Sequence, residues 1–122
     1  MTRTRARVLF VDDQPSAREL FARFCDPERY EVFLAQGVTE AEQVIASNDL
    51  DMVVTDLRMP EIDGLHGLER FQRIDPELPV VVVTAFGTVE TAVQAMQGGA
   101  FDYIRKPFTQ GELDVTMARA IK

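Results

Sequence analysis

Three aspartates, a threonine and a lysine stand where short apolar runs of this chain stop. Asp12 and Asp13 follow Arg7-Val8-Leu9-Phe10-Val11, and Asp56 follows Asp51-Met52-Val53-Val54-Thr55. Thr84 closes Pro79-Val80-Val81-Val82-Val83, and Lys106 closes the run from Ala100 to Arg105 and precedes Pro107. If these runs are neighbouring parallel strands, the five side chains meet at the carboxyl edge of one sheet, where open α/β sheets bind ligands. Three carboxylates together carry more negative charge than such an edge holds unaided. The cluster therefore asks for a divalent cation, and beside the lysine it can hold a phosphoryl group.

Each of these residues also has an ordinary structural reading. Asp56 is the candidate nucleophile, since a carboxylate attacking phosphorus forms an aspartyl phosphate. On position alone, a solvated loop aspartate is the commoner case. Asp12 and Asp13 are candidate metal ligands, because Mg²⁺ takes oxygen donors and keeps several waters. One of them can instead cap a helix starting near Pro15, but capping needs only one aspartate. Lys106 can neutralise a phosphoryl oxygen as a compact point charge, and Thr84 can donate a hydrogen bond to another. Tyr103, between Asp102 and Ile104, either packs in the core or swings between inside and outside. His66 is the only histidine and has no partner for a zinc site, so it is expected to be exposed. Cys25 is the only cysteine, which excludes an intrachain disulfide and points to a reducing compartment; packing on the first helix is its expected role. No Walker or Rossmann nucleotide motif is present.

The elements that must position these groups alternate strictly. Apolar runs at 7–11, 51–55, 80–83 and 101–105 predict strands, and the alternation from Tyr30 to Ala35 predicts another at a sheet edge. Pro15 suits the first turn of a helix reaching about Cys25, with Ala17, Leu20, Phe21 and Phe24 as its apolar stripe. Further helices are predicted over Thr39–Ser47, about Leu65–Ile74, from a cap near Thr88 to Gln97, and after a Thr109 cap. Their apolar positions are Ala41, Val44 and Ile45; Leu68 and Phe71; Val89, Ala92, Val93 and Met96; and Leu113, Met117 and Ala120. Met59 to Gly64 carries strong turn signals, and Gly98-Gly99 reads as a helix stop. Five strands alternating with five helices predict βαβ units, a parallel sheet and helices on both faces.

The totals bound the rest. A chain of 122 residues is expected to form one domain over 1–122. Apolar residues at 46% and charged residues at 27% are ordinary for a globular protein. A net charge of −7 argues against direct nucleic-acid binding, which needs a basic face. No apolar stretch approaches 18 residues, so no membrane span is expected. The basic N-terminus is not followed by a signal-peptide core. The expected location is the cytoplasm.

The motifs Val11-Asp12-Asp13, Thr55-Asp56-Leu57-Arg58-Met59-Pro60 with Asp63-Gly64, Thr84-Ala85, and Lys106-Pro107-Phe108, in this order, resemble the receiver domain of bacterial two-component response regulators. The stretches Thr84–Ala92 and Gly98–Tyr103 look like the NtrC-type subgroup, the sigma-54 activators. The resemblance covers essentially the whole chain. It implies a flavodoxin-like, doubly wound, five-stranded parallel sheet of order 2-1-3-4-5 with five helices. It implies that Asp56 takes a phosphoryl group from a sensor histidine kinase. Mg²⁺ would be held by Asp13, Asp56 and the Arg58 carbonyl, with Asp12 acting largely through water. Thr84 and Lys106 would hold the phosphoryl oxygens, Thr84 and Tyr103 would form the switch pair, and Lys106-Pro107 would be a cis peptide. An ATPase and DNA-binding output usually follows such a receiver and is absent from this chain; a homodimer through the fourth and fifth helices is a further expectation. The role implied is a signalling switch, with self-catalysed phosphoryl transfer and autodephosphorylation but no separate substrate. Rival readings are a Mg²⁺-dependent phosphatase, a flavodoxin-like cofactor binder and a receiver that works by protein contact alone.

Overall fold

The computed structural model describes residues 5–57, 64–85 and 89–121. Five strands, β1 (Ala6–Val11), β2 (Tyr30–Ala35), β3 (Met52–Asp56), β4 (Val80–Thr84) and β5 (Asp102–Arg105), form one parallel sheet of order β2-β1-β3-β4-β5. The helices are α1 (Pro15–Phe24), α2 (Val38–Ser47), α3 (Gly64–Ile74), α4 (Val89–Gln97) and α5 (Gln110–Ile121). The order and the five-plus-five count are those expected, and β2 is an edge strand as read.

Successive side chains of a strand point to opposite faces, so the unbroken apolar runs feed two cores at once. Leu9, Val11, Val53, Val80 and Val82 pack with Ala41, Ile45, Leu68, Phe71 and Ala95 on one face. Val8, Phe10, Met52, Val54, Val81, Val83 and Ile104 pack with Phe21, Cys25, Leu113 and Met117 on the other. Phe10 and Phe21 stack with centroids 4.3 Å apart. β3 and β4 are buried at every residue, as expected of central parallel strands.

Local chemistry sets the helix ends. At α5, the Glu112 N–H donates to Thr109 Oγ1 and the Thr109 N–H donates to Glu112 Oε1, each at 3.0 Å, a reciprocal capping box. α4 ends where Gly99 takes φ +101° and the Ala100 N–H reaches the Ala95 carbonyl at 3.0 Å, a left-handed cap that only glycine adopts cheaply.

Two inward stripes need correction. On α1, Phe21 is buried as expected, but Leu20 is 46% exposed and lines an apolar cavity of about 310 Å³. On α4 the buried position is Ala95, while Val93 and Met96 are each 46% exposed. The apolar residues of α4 cover more of its circumference than the sheet can bury. The Thr88 cap and the turn at 59–63 lie outside the described residues. His66 is exposed and Cys25 is buried, both as read.

Candidate functional site

Strand register brings the polar groups to one level. Val11 pairs with Thr55, Asp56 pairs with Val83, and Thr84 pairs with Arg105. The Lys106 N–H extends the β4–β5 ladder by donating to the Thr84 carbonyl at 3.0 Å. Asp12, Asp56, Thr84 and Lys106 therefore all sit at the carboxyl edge of β1, β3, β4 and β5. Asp56 is the last residue of its strand rather than the first of the loop.

Lys106 is the centre of the cluster. Its Nζ donates to Asp12 Oδ2 at 2.8 Å and to Asp56 Oδ2 at 3.1 Å. Asp12 is fully buried and Asp56 is 7% exposed. Burial of Lys106 opposes its charge, but the hydrogen bond it donates to Asp12 and the charges of Asp56 and Asp12 outweigh it. The ammonium consequently titrates above its ordinary value. The Lys106-Pro107 peptide is cis.

The β1–α1 turn holds Asp12 on every side. Its N–H donates to the Ala35 carbonyl at 3.1 Å, its Oδ1 accepts from the Gln14 N–H at 2.9 Å, and its carbonyl accepts from Arg18 Nη1 at 2.8 Å. Neither aspartate caps α1: the N-cap is Gln14, with Pro15 in the first turn. Asp13 is half-buried, and its carboxylate makes no hydrogen bond or ion pair among the described residues. Arg18 was not singled out from the sequence. The signal that could have found it is an arginine one turn into the helix that follows an acidic pair.

Thr84 is 1% exposed. Tyr103 is half-buried and packs against the core on the α2–α4 face. Its hydroxyl is buried and has no hydrogen-bond partner. Arg58 lies outside the described residues.

The donors here are carboxylate oxygens, which suit Mg²⁺ and not a soft metal. Among the described residues, no three His, Cys, Asp or Glu side chains converge into a metal site. A single ammonium bridges Asp12 and Asp56. Two buried carboxylates share one lysine, so the pair retains an excess of negative charge. The residues present fit a hard divalent cation.

A parallel sheet whose carboxyl edge gathers acidic side chains around one lysine, with no phosphate-binding glycine loop, defines a receiver-type α/β protein. Residues 8–118 match the response regulator receiver domain model, and the chain belongs to that family. It is 35% identical over 119 residues to the response regulator protein PilR of Pseudomonas aeruginosa, covering 98% of this chain and 27% of that protein. It is 36% identical over 116 residues to the regulatory protein AtoC of Escherichia coli, covering 95% of this chain and 25% of that one. The chain thus spans about a quarter of the length of these relatives. Among solved structures, the receiver domain of NtrX from Brucella abortus superposes with a TM-score of 0.87 at 34% identity, covering 93% of this chain and 97% of that one. The beryllofluoride-activated NtrC4 receiver domain dimer superposes with a TM-score of 0.89 at 32% identity, covering 94% and 95%. The NtrC-type character read from the sequence is borne out by these relatives.

Proposed function

We propose that this receiver is a phosphoacceptor switch in which Asp56 takes a phosphoryl group from a phosphohistidine of a sensor histidine kinase. The observation that carries the reading is the Lys106 ammonium bridging Asp12 and Asp56 at 2.8 and 3.1 Å. An Asp56 oxygen attacks phosphorus, the P–N bond breaks, and the donor imidazole leaves with the electron pair. Lys106 neutralises a phosphoryl oxygen, and the Thr84 hydroxyl donates to another. Such transfer is mainly positioning and charge neutralisation. Mg²⁺, when bound, supplies the second share of that neutralisation; Asp13 and Asp56 would hold it with the Arg58 carbonyl, and Asp12 would assist through water. Water attack at the same phosphorus returns the free carboxylate, so turnover is the protein's own dephosphorylation rather than catalysis on a separate substrate.

The added phosphoryl group brings roughly −1.5 to −2 charges. Thr84 then moves toward the new oxygens, and the Tyr103 ring turns into the space it leaves. The buried, unpartnered Tyr103 hydroxyl supports this, because rotation of the ring gives it a chance to find a partner. The surface remodelled is α4–β5–α5, which carries the exposed Val93 and Met96. Through it the receiver would form a homodimer and control an ATPase or DNA-binding output in a longer, cytoplasmic regulator, with 1–122 acting as one receiver unit.

Intact-mass spectrometry after incubation with Mg²⁺ and acetyl phosphate tests the reading. One phosphoryl adduct that needs Mg²⁺ and disappears in Asp56→Asn is expected. No adduct on the wild-type chain, or an adduct that survives the substitution, would reject it.

A further inference from the structure

Among the described residues the Asp13 carboxylate makes no hydrogen bond or ion pair, so the backbone that carries it is its main restraint. The peptide joining Asp12 to Asp13 is held through one contact that reaches in from outside the loop: Arg18 Nη1 donates to the Asp12 carbonyl at 2.8 Å. Arg18 is half-buried on α1, and this is the only hydrogen bond its guanidinium makes among the described residues. The other contacts of the turn act elsewhere. Lys106 and the Gln14 N–H hold the Asp12 side chain, and the Ala35 carbonyl holds the Asp12 N–H.

We propose that Arg18 is a positioning residue for cation binding: by clamping the Asp12 carbonyl it fixes the Asp12–Asp13 peptide plane, from which the Asp13 carboxylate must reach the cation. The inference rests on the cation-binding part of the proposed function. It also predicts a sign that simple electrostatics reverses. Arg18 is a cation at the margin of a site for another cation. If charge alone mattered, removing it would tighten Mg²⁺ binding, because like charges repel. If positioning dominates, removing it weakens binding, as loss of an outer-shell partner generally does.

The test is a Mg²⁺ titration of the whole chain followed by backbone amide NMR shifts, on wild type, Arg18→Met, Arg18→Lys, Asp13→Asn and the Arg18→Met/Asp13→Asn pair. Methionine keeps an unbranched side chain while removing the donor. Arg18→Met is expected to weaken Mg²⁺ binding about tenfold. Arg18→Lys, which keeps one donor, recovers part of that loss. In the Asp13→Asn background, Arg18→Met has no further effect, since there is no carboxylate left to position. Urea midpoints in EDTA check that each variant is folded. Unchanged or tighter binding by Arg18→Met, or equal losses with and without Asp13, would overturn the assignment while leaving the phosphoacceptor reading intact. Absence of Mg²⁺ binding by the wild-type chain would overturn both.

Discussion

Replacing Lys106 by methionine isolates what holds the acidic edge together. The Nζ lies 2.8 Å from Asp12 and 3.1 Å from Asp56. At an effective dielectric of about 20, each contact is worth roughly 5 to 6 kcal/mol of attraction. Desolvating three charged groups returns several kcal/mol apiece, so the net value is far smaller. What counts for the variant is the state left behind: two buried carboxylates facing each other with no cation. Breaking a buried pair in this way typically costs about 3 to 5 kcal/mol. The Lys106 side chain remains 22% exposed, so water softens the loss and the low end, about 3 kcal/mol, is expected. For a domain of this size that lowers the midpoint of thermal unfolding by about 10 °C. Urea unfolding in EDTA, without divalent cation, measures it. Asp12→Asn in the Lys106→Met background should recover more than half of the loss, because it removes the repulsion that the lysine had masked. The pH dependence has a definite sign. The Lys106 ammonium is raised above 10.5 in the fold, so its stabilisation is fully present below about pH 10.5 and is lost only as pH rises through the folded value. A loss under 1 kcal/mol, or a second substitution that adds to the loss, would refute the argument.

Other outcomes follow from single contacts. Gly67→Ala would ordinarily stabilise a helix interior by about 1 kcal/mol, but a Cβ there would lie 2.9 Å from Val38 Cγ2. A net loss of about 1 to 2 kcal/mol is expected, and a gain in urea unfolding would show that α2 and α3 part freely. Tyr103→Phe removes a buried hydroxyl without a partner and should raise stability by about 1 kcal/mol; a loss would mean the hydroxyl is bonded in solution. Burial, followed by the charge of Asp114, pushes the Cys25 thiol from 9.0 up to about 12. The folded chain should therefore alkylate roughly a thousandfold more slowly at pH 8 than the urea-unfolded chain, and equal rates would contradict the burial. That contribution to stability is complete below pH 9 and is lost as pH rises toward about 12.

The alternation of apolar runs with amphipathic segments was legible along the chain because each pattern is local: period two or an unbroken run for a strand, the three-to-four spacing for a helix. The same holds for the turn chemistry, as at Thr109 and Gly99, where one residue type answers one backbone need. The acidic edge was legible too, because parallel strands bring their ends to one side whatever their order. Strand order itself came from resemblance, since nothing in a strand's own residues names its neighbours. Tertiary structure decided the rest. It left Leu20, Val93 and Met96 outside, because the width of a helix's buried face depends on how much sheet lies beneath it. It set Lys106 between Asp12 and Asp56, and it brought Arg18 to the Asp12 carbonyl. These are contacts across many residues or around a turn, and their geometry exists only once the elements have packed.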